Sequence, residues 1–120
     1  MNEIYLASTN GERKTTIKGD RFPLGDKSDK YKKRTGYQLF IDQLTEDHMI
    51  YLFSDGFQDQ FGGPEGKKFL KKEFRELLFK ISPLSIEEQK NTIAIQFNNW
   101  KKNKPQIDDV LVVGLKLKIK

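Results

Sequence analysis

Apolar and polar positions alternate in blocks along this chain, and the blocks set out its elements before any chemistry is considered. A short apolar run at 4–7 ends in Ser8-Thr9-Asn10-Gly11, and a second run follows through Thr15, Thr16 and Ile17. Asn-Gly between two such runs predicts a β-hairpin with a type I′ turn, because both residues accept positive φ. Residues 26–36 are almost wholly polar and read as a surface loop. Residues 37–44 alternate loosely, as a half-buried strand does, and Thr45-Glu46-Asp47 turns them back into an antiparallel pair with the apolar run over 49–53. That run is uninterrupted and reads as a strand buried on both faces, ended by Ser54-Asp55-Gly56.

Beyond it the period changes. Residues 57–61 form either a single helical turn or a loop anchored by two phenylalanines, and Gly62-Gly63-Pro64 ends them. Lys67-Lys68-Phe69 leads into a helix in which Phe74, Leu77, Leu78 and Ile81 recur at i, i+3, i+4 and i+7, the spacing of one buried face. Ser82-Pro83 stops it, since proline cannot continue a helix and restricts the residue before it. A second helix opens with Ser85 and Glu88 in capping-box spacing. Ile86, Ile93, Phe97 and Trp100 give it an apolar stripe that Gln89 and Lys90 interrupt, with Trp100 as a core plug. Residues 110–113 read as a buried, central closing strand, and Leu115, Leu117 and Ile119 alternate with lysines along a final wet-faced segment. The expected architecture is α+β, an antiparallel sheet with two tandem helices on one face.

Composition narrows this. At 120 residues the chain has room for one small domain. Its 36% hydrophobic and 32% charged content implies a thin core, suited to a modest domain or to a piece that expects a neighbour. With no cysteine there is no disulfide framework and no thiolate metal site, which fits a reducing cytoplasm. No apolar run approaches a membrane span, and the acidic start Met1-Asn2-Glu3 does not read as a signal peptide. No membrane contact is expected of this segment. The net charge of +5 raises the question of nucleic acid, through Lys30 with Lys32-Lys33-Arg34, Lys67-Lys68 with Lys71-Lys72, and Lys101-Lys102 with Lys104. Acids such as Glu73, Glu76, Glu87 and Glu88 are interspersed, and no stacking aromatics alternate with the basic runs, so these read as solvated surface and no nucleic-acid partner is expected. His48, without companions, reads as a surface or turn residue with no role.

Two places carry candidate chemistry. Asp55 stands where an apolar strand meets a turn, followed by Gly56, whose missing side chain leaves the main chain open to approach. Asp108 and Asp109 stand at the mouth of another apolar run. Carboxylates are the ligands that hard cations such as Mg²⁺ and Mn²⁺ prefer, so if the two strands are antiparallel neighbours, Asp55 and Asp108 meet at one edge and can share a cation. Each signal is equally that of an ordinary Asp-containing turn.

Taken together, Ser54-Asp55-Gly56-Phe57, then Asp59-Gln60-Phe61-Gly62-Gly63, then Gln89 and Trp100, then Gln106-Ile107-Asp108-Asp109-Val110-Leu111-Val112 resemble the C-terminal half of a SpoIIE-like serine phosphatase domain. That domain belongs to the metal-dependent (PPM, or type 2C) protein phosphatases, and the resemblance covers nearly the whole chain. It places Gly19-Asp20 and Pro23-Leu24-Gly25 after the first hairpin, with Asp20 a turn residue and not a ligand. The family's N-terminal Asp-Gly motif, whose carboxylate bridges two metals, and the Gly-His-Gly stretch that comes after it are absent, so residues 1–120 read as the C-terminal portion of the domain, part of an α-β-β-α sandwich. The resemblance implies Mn²⁺ or Mg²⁺ as cofactor, with Asp55, Gly56 and Asp108 at the metal and Asp109 and Asp59 supporting it. It further implies hydrolysis of phosphoserine or phosphothreonine on a partner protein in bacterial signalling, and the N-terminal half of the domain, with an upstream sensor, as partners. The isolated segment is expected to be inactive and to be open to self-association. The competing reading is a non-catalytic binding or assembly module built on the same fold.

Overall fold

In a computed structural model, residues 3–18 and 44–119 are described. The expected segments at 19–25 and 26–36, and all but Leu44 of the strand expected over 37–44, lie outside them. The first hairpin forms as its pattern predicts: β1 (Ile4–Ser8) pairs antiparallel with β2 (Lys14–Ile17), with Ile4 opposite Ile17 and Ala7 opposite Lys14. The turn differs from type I′, which needs positive φ at two residues. Gly11 has φ +79°, but Asn10 does not adopt positive φ. The connection is longer and is organised by a side chain. Ser8 Oγ accepts the main-chain N–H groups of Glu12 at 3.1 Å and Arg13 at 2.8 Å, and donates to Asn10 Oδ1 at 2.6 Å.

β3 (His48–Phe53) lies between β1 and β6 (Val112–Leu117), antiparallel to both, in a sheet of order β2-β1-β3-β6. Both edges of β3 are therefore taken by β1 and β6. Strand alternation sends Tyr5, Ala7, Met49, Tyr51 and Phe53 to one face, where they join Phe57, Phe74, Leu78 and Ile81 in the core. The register aligns Ile4 with Leu52 and Leu52 with Val113, and Leu6 with Ile50 and Ile50 with Leu115, on the other face. No helix of the described residues covers that face, and Leu52 and Leu115 are 41% and 52% exposed. The expectation that 49–53 is buried on both faces is thus corrected, because helices pack on one side only. The closing strand is corrected too. It starts at Val112 and not at 110, lies at the edge of the sheet formed by the described strands and not at its centre, and beyond its first residue is exposed.

Between the sheet and the helices runs a feature that periodicity did not reveal, a two-residue ladder of β4 (Phe61–Gly62) and β5 (Lys67–Lys68). Two such short strands carry no period to read. α1 (Lys71–Ile81) buries Phe74, Leu78 and Ile81 as expected, and the edge-on packing of Phe74 against Phe53, with ring centroids 4.9 Å apart, seats it on the sheet. Ser82 closes it, donating from Oγ to Phe79 O at 2.8 Å. α2 (Ile86–Lys101) begins with the predicted capping box, both halves of which are present between Ser85 and Glu88.

The stripe on α2 holds at Ile93 and Phe97, which pack against the core, but not at its start. Ile86 is 50% exposed, whereas Gln89, which reads as an interruption, is the buried residue of the helix. Its Oε1 accepts from the Tyr51 hydroxyl at 2.5 Å, and its Nε2 donates to the carbonyls of Leu84 at 3.0 Å and Ser82 at 3.3 Å. One amide thus joins β3, α2 and the turn after α1, and a fully satisfied buried amide is stable where an unpaired one is not. Among the described residues no helix is long and apolar enough to cross a membrane.

Removing one partner of this bond leaves the other buried and unpaired. Gln89→Leu is expected to lower stability by about 1–3 kcal/mol, and Tyr51→Phe with Gln89→Leu by less than the sum of the two single changes, as read by urea unfolding. Burial pushes the Tyr51 hydroxyl above the ordinary tyrosine range, with the neighbouring Tyr5 adding to the shift. An acid whose pKa is raised in the folded state contributes stability that is complete below its unfolded pKa of about 10 and is lost as pH rises beyond it. Stability is therefore expected to fall above about pH 10, and less steeply in Tyr51→Phe, as read by unfolding across an alkaline pH series.

Candidate functional site

The ladder between β3 and β6 does not stop at Phe53 and Val112. Ser54 N–H donates to Leu111 O at 2.9 Å, its Oγ donates to Asp109 O at 3.0 Å, and the same oxygen accepts from Leu111 N–H at 3.0 Å. Two residues further on, a Cβ built on Gly56 would lie 2.1 Å from Asp109 O and 3.1 Å from a methyl group of Val110. Only a residue without a side chain fits there, which gives Gly56 a steric reason independent of any ligand. Asp55-Gly56 and Asp108-Asp109 are thus brought to the same end of the sheet on adjacent, antiparallel segments.

The carboxylates at this end face water. Asp55, Asp108 and Asp109 are all exposed. Asp55 Oδ1 accepts from Gln58 Nε2 at 3.1 Å, and Gln58 is itself buried, at 7% exposure. Asp108 Oδ1 accepts the Asp109 N–H at 2.8 Å, so one of its oxygens braces its own turn. Asp59 N–H donates to Asp55 O at 2.9 Å, closing a turn over 55–59 that begins before the 57–61 segment, and its carboxylate lies 3.7 Å from Lys68 Nζ. Asp59 therefore ties the loop to β5.

The loop after this turn is held by aromatic and amide contacts. Phe57 is fully buried and stacks on Phe74 with centroids 4.4 Å apart. Gln60, also fully buried, donates from Nε2 to Phe61 O at 2.9 Å and to Pro105 O at 3.0 Å, while its main-chain carbonyl accepts the Trp100 indole N–H at 2.8 Å. Gly62 and Gly63 lie flat on Trp100, where an added Cβ would come within 2.0 and 2.5 Å of its atoms. Trp100 is half-buried and serves as an anchor for this loop and not as a plug of the main core. His48 is also corrected: it is the first residue of β3, 3% exposed, with Nδ1 2.8 Å from Glu46 O, because the strand begins one residue before the apolar run.

No model of a known protein family matches the sequence, and neither does any curated protein. Among solved structures, the chain is similar to the SiaA-PP2C domain of Pseudomonas aeruginosa, with a TM-score of 0.77 and 24% identity. The architecture is that of part of a PP2C-type domain. The match covers 97% of this chain and 43% of the other, so the chain spans less than half the length of the structure it resembles. At this identity the likeness establishes architecture, and the chemistry has to be read from the residues.

Those residues supply a partial donor set for a hard cation. Asp55 and Asp108 present exposed carboxylates from neighbouring segments, and the Gly56 main chain lies against the segment leading into β6. Among the described residues no group of three or more His, Cys, Asp or Glu side chains is placed to hold a metal ion. Two carboxylates with water completing the shell suit weak binding of Mg²⁺ or Mn²⁺, the former of which keeps several waters. Gln58 and Ser54 are the residues that the sequence pattern missed. Gln58 holds an oxygen of Asp55 and Ser54 joins the two segments, but neither residue type carries a spacing signal. Glutamine in a turn and serine after a strand are common.

Gly56→Ala is expected to push the 109–111 segment away from β3 and to cost more than about 1 kcal/mol, while Ser54→Ala, which loses two hydrogen bonds, costs about 1–2 kcal/mol. Urea unfolding measures both. In amide NMR spectra the Leu111 signal should shift in each variant while Thr16, on the far strand, stays in place.

Proposed function

We propose that the chain is the C-terminal portion of a SpoIIE-like, metal-dependent protein serine/threonine phosphatase domain that acts on a phosphorylated protein in bacterial signalling. The observation that carries this reading is the junction of β3 and β6, where Asp55-Gly56 and Asp108-Asp109 come to one end of the sheet across a contact that admits no side chain. In this reading Asp55 and Asp108 hold Mn²⁺ or Mg²⁺, directly or through water, with the main chain of Gly56 beside them. Gln58 orients Asp55, and Asp109 and Asp59 brace the two segments, since partners that orient a ligand matter nearly as much as the ligand. The metal ions supply the positive charge that makes water a nucleophile at neutral pH and that offsets charge on a transferring phosphoryl group. This chain's own residues hold the carboxylates in register and seat the loop over 57–70 beside them.

The sheet face that no described helix covers supports the same reading: Leu6, Ser8 and His48 are buried on it, but its β6 side is exposed. Leu52, Val113, Leu115 and Leu117 are each between 37% and 52% exposed on a sheet whose other face is packed under two helices. A second sheet laid on that face completes an α-β-β-α sandwich, and in this proposal the N-terminal half of the domain provides it. The same face, together with the incomplete donor set, favours one alternative: a non-catalytic assembly module that covers its apolar face with another copy of itself.

Activity separates the two. The 120-residue chain alone is expected to hydrolyse aryl phosphate or a phosphopeptide no faster than its Asp55→Asn variant, because two carboxylates do not hold two ions at the roughly 3.5–4 Å separation of a two-metal site. Joined to a segment carrying the missing Asp-Gly motif, it should show Mn²⁺-dependent turnover that Asp55→Asn or Asp108→Asn abolishes. An extended protein that stays inactive with every aspartate in place, and a chain that light scattering finds to be a dimer, would favour the assembly module.

A further inference from the structure

At the far end of α2 the surface changes character. Trp100, Gly62 and Gly63 form the floor of a concavity of about 320 Å³, and Lys101, Lys102 and Lys104 line its wall. The two glycines create the space, since neither can carry a side chain against Trp100. Among the described residues none of these three lysines has a carboxylate within ion-pair distance, whereas Lys67 and Lys68 on the adjoining β5 are paired with Glu65 at 2.8 Å and Asp59 at 3.7 Å. Lysines in the last turn of a helix do complement its dipole, but that accounts for a contribution at the helix terminus and not for a basic wall around a hollow. Lys102 adds a second observation. It is the C-cap of α2, with φ 45° and ψ −118°, a backbone region that glycine ordinarily takes, so a lysine stands here at a conformational cost.

We infer that this lysine-walled concavity is a docking surface for an acidic polypeptide segment. The charge calls for carboxylates, and the local extent decides which polyanion fits. The wall is one hollow with three cations, not a stripe that follows a phosphate backbone, so it offers a short acidic segment its charges and a nucleic-acid strand no track. The placement also links the surface to the aspartates. Lys104 precedes Pro105, whose carbonyl Gln60 holds, and Asp108 comes four residues after Lys104, a chain length that spans at most about 14 Å. A peptide in extended form rises about 3.3 Å per residue, so a phosphorylated residue at Asp55 and Asp108 would put acidic residues no more than about four positions away against the lysines. This link to substrate choice rests on the phosphatase reading, while the docking surface stands without it.

The test is therefore a binding measurement with no phosphate and no turnover. A fluorescein-labelled peptide with a run of Asp and Glu residues is titrated with the 120-residue chain, beside a neutral peptide of equal length and a single-stranded oligonucleotide. The acidic peptide is expected to bind, to weaken as salt rises, and to lose about tenfold in affinity in Lys101→Glu/Lys102→Glu/Lys104→Glu. Lys80→Glu/Lys116→Glu/Lys118→Glu, which changes the net charge equally at exposed sites elsewhere, should lose less than about twofold, as screened distant charges do. Circular dichroism establishes that both variants fold. Asp55→Asn/Asp108→Asn should leave the affinity unchanged, which keeps this result separate from the fate of the metal site. Equal losses in the two lysine variants, or an oligonucleotide bound more tightly than the peptide, would overturn the inference.

Discussion

The contact between Gly56 and the Asp109 carbonyl is the constraint on which the rest of this molecule depends. A strand pair can slip by one residue, and such a slip sends every side chain to the opposite face of the sheet. Here the last residues of β3 and the residues leading into β6 are locked from two directions. Gly56 approaches Asp109 too closely for any alternative residue, and Ser54 Oγ satisfies both a donor and an acceptor of the opposing segment. With the register held there, Tyr51 and Phe53 must face the helices and Leu52 must face away. The lock that orders the core is also what brings Asp55-Gly56 and Asp108-Asp109 to one end of the sheet.

Around that lock the fold relies on buried amides to an unusual degree for so thin a core. Gln89 joins β3 to α2 and the turn after α1, and Gln60 joins the loop after Asp55 to Pro105 and, through its carbonyl, to Trp100. Apolar burial is non-directional and would tolerate several positions of α2 on the sheet, whereas a hydrogen-bonded amide accepts one. With only one face of the sheet covered by helices, these directional contacts specify what a larger core would specify by shape. The loop over 57–70 is held at both ends in this way, which keeps the acidic end of the sheet and the lysine wall on α2 in a constant relation.

How much of this was legible depends on the range of the interactions involved. α1 and α2 were readable because a 3.6-residue period, a capping box and a proline act within a few residues of chain, and the first hairpin was readable from two runs and a break. The candidate carboxylates were readable as types, since Asp at the end of an apolar run is visible in the letters. What was misread turned on distant partners. An uninterrupted apolar run such as 49–53 looks the same whether one face or two is covered, and Gln89 looks like an interruption until Tyr51, 38 residues away, is placed beneath it. The I′ turn failed for the same reason on a smaller scale, because Ser8 reaches across five residues to organise it.

By itself, then, the sequence determined the kinds of element, where the helices start and stop, and which residues could carry chemistry, because each of these is set by near neighbours. Only the tertiary structure decided the order of the described strands, the exposure of Leu52 and of the apolar residues of β6 on the face away from the helices, and the meeting of Asp55-Gly56 with Asp108-Asp109. Those depend on pairings between distant segments, such as Ser54 with Asp109 and Leu111, 55 and 57 residues further along the chain. No local preference encodes them, since they arise only when the burial of one apolar face and the pairing of the buried main chain are met together.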